Sequence, residues 1–141
     1  MPVVLHDWSD KELAGWLRGL LKTIELPIPV TRIGNRETTP PVPGEVHIVV
    51  RDDGGTRHDL VLKDQQVGLS FITTSVGDLP AVRLVADMVI AHMIGRMPVD
   101  DGTPVADVTE VNGPYTVPTG NDSLRLYASM TLSLTGRELA P

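Results

Sequence analysis

The most constraining pattern in this sequence is a run of twelve residues near its end that alternates strictly between apolar and polar side chains. The apolar positions are Leu124, Leu126, Ala128, Met130, Leu132 and Leu134, and the polar ones are Arg125, Tyr127, Ser129, Thr131, Ser133 and Thr135. Successive side chains of a strand point to opposite faces of its sheet, so this pattern predicts a β-strand with one buried face. The strand would extend about 36–40 Å, roughly twice the usual length. Its hydroxyl-rich face suits a sheet that meets other subunits or lines a channel.

The N-terminal region predicts a helix over residues 10–24. Ser9 and Glu12 have the spacing of a capping box, in which each side chain bonds a backbone amide of the first turn. Six apolar residues then fall on one helical stripe: Leu13, Trp16, Leu17, Leu20, Leu21 and Ile24. Prolines at 27 and 29 end the helix and make residues 26–34 a short edge strand. Residues 35–44 form a predicted extended loop or arm.

Strands are predicted at residues 45–51, 58–62 and 67–71, which together would form an antiparallel meander. The intervening turns are placed at Asp52-Asp53-Gly54-Gly55 and Asp64-Gln65-Gln66, because these residue types favour turns. A further strand at residues 105–111 and a Pro/Gly loop from Asn112 to Asp122 precede the final strand. The expected fold is one α+β domain over residues 1–141, with a mostly antiparallel sheet (the meander plus a C-terminal strand pair) packed against two helices.

The second predicted helix, residues 79–97, is apolar on nearly every side. Asp78 is its expected N-cap, and Pro80 lies in the first turn, where its missing amide costs little. Such a helix needs cover from more than one direction, either from its own chain or, as we expect in part, from another subunit. The candidate subunit interface consists of Ile90, Met93, Ile94 and Met97 on the helix and Pro40 and Pro41 on the arm.

Composition argues against several classes of function. The chain has 12 basic and 18 acidic residues, a net charge of −6 and only five aromatic residues, a poor match to nucleic-acid binding. It has no cysteine for disulfides, thiolate zinc sites or a Cys nucleophile. Its longest apolar stretch, residues 88–94, is far shorter than the roughly 20 residues of a membrane span. We therefore expect a soluble protein made in the cytoplasm, without a membrane partner.

No catalytic motif stands out in the sequence. His58-Asp59, together with Asp52 and Asp53, offers possible ligands for a divalent ion, but turn chemistry explains Asp and Gly in a predicted turn better. Ser70 lacks the second glycine of a nucleophile elbow. We predict no catalytic, cofactor-binding or metal-binding residues and no enzyme activity. A small metal-dependent hydrolase that uses His58 and the nearby Asp residues is the less favoured alternative.

The order of these elements resembles the tail-terminator, or tail completion, proteins of long-tailed bacteriophages. The similarity spans about residues 9–137, from the first helix through the arm, the meander and the apolar helix to the final strands. The stretches that carry it are Val46-His47-Ile48-Val49-Val50-Arg51-Asp52-Asp53-Gly54-Gly55, Val67-Gly68-Leu69-Ser70-Phe71, the Ala- and Val-rich helix from Ala81, Asn112-Gly113-Pro114, and Leu126-Tyr127-Ala128-Ser129-Met130-Thr131-Leu132-Ser133-Leu134-Thr135-Gly136.

The resemblance implies a structural virion protein that forms a homo-hexameric ring on the head-proximal end of the tail tube. Such a ring stops tube polymerisation and provides the docking surface for the head-side connector or neck protein. Its partners would be further copies of itself, the tail-tube protein and the connector, with assembly in the host cytoplasm and no sequence-specific nucleic acid. Arg125, Tyr127, Ser129, Thr131 and Ser133 are then the candidate lumen or partner face. Another head–tail neck or tail-tube component is the alternative.

Overall fold

Strands of alternating apolar residues, one amphipathic helix and one largely apolar helix produce an α+β fold in the computed structural model. It describes residues 4–5, 8–57, 62–119, 123–135 and 137–138. The elements are β1 (Val4–Leu5), α1 (Asp10–Leu21), β2 (Val30–Gly34), β3 (Val46–Arg57), β4 (Leu62–Thr73), α2 (Leu79–Arg96), β5 (Val105–Val117), β6 (Leu124–Thr135) and β7 (Arg137–Glu138). Short 3₁₀ turns at Val76–Asp78 and Met97–Val99 flank α2.

Five strands form the main sheet in the order β2-β3-β4-β6-β5, and β1 pairs with β7 in a separate ribbon. The β2–β3 pair is parallel, and the other neighbours in the sheet are antiparallel. The Pro-flanked strand β2 lies at an edge, as its prolines predicted. The long alternating strand β6 lies between β4 and β5, so its backbone is paired on both sides.

The hydrophobic core lies between one face of the sheet and both helices. Val46, Ile48 and Val50 of β3 point into it, as the alternation predicted, together with the apolar residues of β6 from Leu126 to Leu134. Helix α1 contacts β2 and β3, whereas α2 contacts β4, β5 and β6. The two helices therefore divide the cover of a single sheet face between them.

Helix α1 begins where the capping-box spacing predicted. The Ser9 hydroxyl accepts a hydrogen bond from the Glu12 amide at 3.2 Å, which satisfies one of the free donors of the first turn. The helix ends at Leu21, three residues before the predicted end. Its position is fixed beside the sheet partly by Gln65, a buried side chain whose Nε2 donates to the Trp8 carbonyl at 3.0 Å.

Helix α2 is confirmed at Leu79–Arg96, but this chain covers most of it. Ile90, Met93 and Met97, three of the candidate interface residues, are buried within the chain, and only Ile94 among the four helical candidates is exposed, at 46%. The wide sheet buries these three residues, because α2 lies across three strands, whereas Leu84, at 51%, remains exposed with Ile94. The predicted cover of α2 by another subunit stays a prediction. In the described part of the chain, no helix is long and apolar enough to cross a membrane.

Two connections predicted from turn-forming residues, and the first part of the predicted 112–122 loop, are instead parts of long strands. Strand β3 continues through Asp52–Gly55 with a register shift, and Gly54 there has a φ of +89°. Strand β4 runs without interruption through residues 64–66, and β5 extends to Val117 through Gly113, whose φ is +90°. A bulge uses the same left-handed glycine as a tight turn, so the residue types alone did not separate the two. Of the predicted 58–62 strand only Leu62, the first residue of β4, lies within the described residues.

Candidate functional site

The sheet face opposite the helices, termed the open face below, carries all five residues of the candidate lumen or partner surface. Arg125, Tyr127, Ser129, Thr131 and Ser133 lie on it because they alternate along β6 with the core residues. The strand register extends this face into rows across the sheet. One row joins Arg32, His47, Ile72 and Arg125 of four neighbouring strands, and the next joins Val49, Ser70, Tyr127 and Tyr115.

A cluster of aromatic and charged side chains surrounds Tyr127 in the middle of the open face. Its hydroxyl donates to Asp53 Oδ2 at 3.1 Å, and its ring lies 5.8 Å from that of Tyr115 in an edge-to-face arrangement. The Arg51 guanidinium lies 5.9 Å from the centre of the Tyr127 ring and pairs with Asp53 at 3.0 Å. Burial, and then the negative charge of Asp53, raise the pKa of Tyr127.

Gly68 of β4 makes this cluster possible. A Cβ at this position would lie 2.8 Å from Tyr127 Cζ, so the tyrosine ring lies directly over the glycine backbone. The sequence signal for this contact is a glycine within an otherwise alternating strand, which marks a close approach of another group. Sequence reasoning had placed Tyr127 on this face but did not identify Asp53, Gly68 or Tyr115 as its neighbours.

The end of the open face at Thr131 and Ser133, termed the far end, is acidic. Thr131 Oγ1 donates to Glu110 Oε2 at 3.1 Å, and Ser133 Oγ donates to Asp64 Oδ1 at 2.9 Å. Each of these β6 hydroxyls is therefore oriented by a carboxylate from an adjacent strand. At Thr131 and Ser133 the predicted hydroxyl face therefore consists of hydroxyl–carboxylate pairs, and this end carries negative charge.

The opposite end, at Arg32 and Arg125, is termed the near end and is basic. It is partly covered by the loop of residues 35–44, the predicted arm. Glu37 of this loop forms an ion pair with Arg125, and the Pro41 carbonyl accepts a hydrogen bond from Thr74 Oγ1 at 3.0 Å. Of the two candidate interface residues on the arm, Pro41 is buried and only Pro40 is available at the surface. In this structure the arm contacts its own sheet, where Val49 and Ile72 are buried.

Replacing Tyr127 with phenylalanine is expected to lower the free energy of unfolding by about 0.5–1.5 kcal/mol at neutral pH, because the hydrogen bond to Asp53 is lost. The folded state also holds the phenolic proton more tightly than the unfolded state, since the Tyr127 pKa is raised. The wild-type advantage is therefore complete below pH about 10 and decreases as the pH rises further. Urea denaturation at pH 7 and at pH 10–11 measures both effects.

The matched control is Tyr115→Phe. Tyr115 is exposed and belongs to the same cluster, but its hydroxyl has no hydrogen-bond partner among the described residues. We expect a change within about 0.5 kcal/mol for this variant. Equal losses for both variants would show that the Asp53 contact contributes nothing specific.

Only some residues of the alternative metal site lie within the described ranges. His58 and Asp59 lie outside the described residues. Asp52 accepts a hydrogen bond from the Gly54 amide at 2.8 Å, and Asp53 is paired with Arg51. Across the described ranges, no group of three or more His, Cys, Asp or Glu side chains is placed to hold a metal ion. Comparison with known proteins adds no relative, since no protein-family model and no curated protein matches this sequence.

Proposed function

We propose that this protein is a tail terminator, a structural protein that forms a homo-hexameric ring on the head-proximal end of a phage tail tube. The ring stops polymerisation of the tube and provides the surface to which the head-side connector or neck protein binds. The order of elements along the chain suggests this role. The structural observation that supports it is the open face, a long polar sheet surface that both helices leave uncovered.

Opposite charges at the two ends of the open face favour contacts between copies of this chain. Arg32, Arg36 and Arg125 lie at one end, and Asp64 and Glu110 lie towards the other. A closed ring is built from one patch on each subunit that contacts a different patch on the next, and complementary charge sets the register of such contacts. The net charge of −6 would weaken adsorption of DNA that passes through the ring.

Electron microscopy of particles assembled without this protein tests the proposal most directly. We expect tails longer than normal, because nothing stops tube growth, and added purified protein is expected to restore normal length. Tails of normal length that lack heads would instead identify a neck or joining component, the alternative role. Protein that stays monomeric at high concentration and fails to cap purified tubes would contradict the terminator role.

A charge reversal on the open face supplies a matched variant for the capping assay. Arg51→Glu changes a side chain that is 62% exposed on this face, whereas Lys11→Glu changes an exposed lysine on α1. We expect Arg51→Glu to reduce capping at least tenfold and Lys11→Glu to leave it unchanged. Circular dichroism of both variants shows whether each retains the fold, so that a loss of capping is not mistaken for unfolding.

A further inference from the structure

A small cleft lies at the basic end of the open face, where residues 36–41 of the arm cross the sheet. Its volume is about 160 Å³, and its lining includes Arg32, Arg36, Glu37, His47, Val49 and Ile72. Pockets for drug-sized ligands typically have volumes of about 300–1,000 Å³. The space is therefore suited to a single small group and not to a nucleotide or a peptide side chain with its backbone.

The strand register concentrates cationic side chains around this cleft. Arg32 of β2 is the register partner of His47, which pairs in turn with Ile72, and Ile72 pairs with Arg125. Arg36 adds a further guanidinium from the arm. Among the described residues, the side chains of Arg32 and Arg36 have no hydrogen-bond or ion-pair partner. Burial and the nearby charge of Arg32 lower the pKa of His47, and Glu45 acts in the opposite direction.

Arg125 does not line the cleft, but it pairs with the cleft residue Glu37 and gives an independent indication that an acceptor belongs at this end of the open face. One of its terminal nitrogens, Nη2, is paired with Glu37, but its Nε is buried without a hydrogen-bond partner. A buried donor without a partner costs about 1–3 kcal/mol, so such groups in native proteins generally serve a bound water, an ion or another function. The single carboxylate of Glu37 therefore accepts from only some of the N–H donors of this guanidinium.

We propose that the cleft binds a small oxyanion, whose oxygens accept hydrogen bonds from the guanidinium groups of Arg32 and Arg36. Arg125 lies beside the cleft and adds positive charge there. Guanidinium groups bind carboxylate and phosphate oxygens strongly because their donors are charged and lie in one plane. The oxyanion has two possible sources, inorganic phosphate from solution or a carboxylate from a second copy of this chain. The inference does not depend on the tail-terminator role, since either source would fill the cleft in any assembly.

Nuclear magnetic resonance of the full chain tests this site, with the His47 ring signals as the reporter. Inorganic phosphate is titrated into dilute protein at constant ionic strength, and the pKa of His47 is measured with and without it. We expect a saturable rise in the pKa of His47, because a bound anion favours the imidazolium form. His92, on the helix at the other side of the sheet, is the internal control and is expected not to respond.

Paired variants locate the binding residues. The double variant Arg32→Gln/Arg36→Gln is expected to weaken phosphate binding at least tenfold. The matched control Arg83→Gln removes an exposed arginine of α2 that hydrogen-bonds the Pro114 carbonyl, and it is expected to bind phosphate like the wild type. Far-ultraviolet circular dichroism of each variant confirms that the fold is kept.

A protein concentration series without added anion distinguishes the two sources. If a carboxylate of a second copy fills the cleft, the pKa of His47 rises together with the native mass, and added phosphate competes with this association. If free oxyanion is the ligand, phosphate shifts the His47 signals while the mass stays constant. The proposal is overturned if neither phosphate nor protein concentration moves His47 more than His92, or if the double variant binds phosphate like the wild type.

Discussion

The Phe71→Ala variant is expected to lose about 3–5 kcal/mol of its free energy of unfolding. Phe71 is fully buried on β4, and its register partners Ile48 and Leu126 on the two adjacent strands are fully buried as well. Removal of the ring would leave a cavity beneath the helices that rigid strands cannot close. A domain of this size typically has about 5–15 kcal/mol of stability, so the variant should lie close to unfolding.

Guanidinium denaturation at 25 °C and a fixed protein concentration measures this loss. The concentration must be fixed because association of subunits would add to the apparent stability. Val76→Ala is the matched control, since Val76 is 72% exposed and its truncation should change stability by less than about 0.5 kcal/mol. A loss below about 1 kcal/mol for Phe71→Ala would contradict the described core.

The second large effect is expected at Gly113 of β5, where alanine should cost about 2–3 kcal/mol. Gly113 has a φ of +90°, a conformation that side chains other than glycine rarely adopt. An added Cβ would also lie 2.5 Å from the Tyr127 carbonyl oxygen and 3.1 Å from Ala128 Cα. Both obstacles are backbone atoms of β6, so a side-chain rotation cannot relieve them.

Gly95→Ala provides a control with the opposite expected sign. Gly95 lies in α2, and a Cβ there has no heavy atom within 4 Å. Because alanine favours the helix by up to about 1 kcal/mol over glycine, this variant should gain stability. Thermal and chemical denaturation of both glycine variants compares them directly. Similar changes in the two would mean that the β5 bulge imposes no special requirement on position 113.

Local patterns in the sequence predicted the core elements of this fold well. The alternation from Leu124 to Thr135 and the triplet Val46, Ile48 and Val50 identified the buried faces of β6 and β3. The Ser9–Glu12 spacing located the start of α1. These signals succeed because periodicity and capping depend on residues a few positions apart in the chain.

Strand ends were predicted less well, for a physical reason that is clear at Asp52–Gly55 and at Gly113. Neither helix packs on the open face, so its strands can contain Asp, Gly and Asn with little loss of buried area. An interpretation of those residues as turns therefore ends β3 and β5 several residues too early. The lengths of these strands are set by their pairing with β4 and β6, which is information that a local pattern does not contain.

The candidate site was predicted only in part for the same reason. The five β6 residues on the open face followed from alternation alone. Their partners did not, because Asp53 lies 74 residues before Tyr127, and Glu37 lies 88 residues before Arg125. Similarly, the cleft beside His47 depends on the row of Arg32, His47 and Ile72 on three strands and on the arm that crosses them.

The β4–β6 pairing has a consequence for how the chain reaches its native state. These strands are joined by about 50 residues that include α2, yet they pair along their whole length, from Leu62–Thr135 to Thr73–Leu124. The β3–β4 and β5–β6 pairs involve much shorter separations, so each can form early and locally. High contact order slows folding, and closure of the long loop is expected to limit the rate. Until then β4 and β6 each present an unpaired edge, which makes a half-folded chain prone to aggregation.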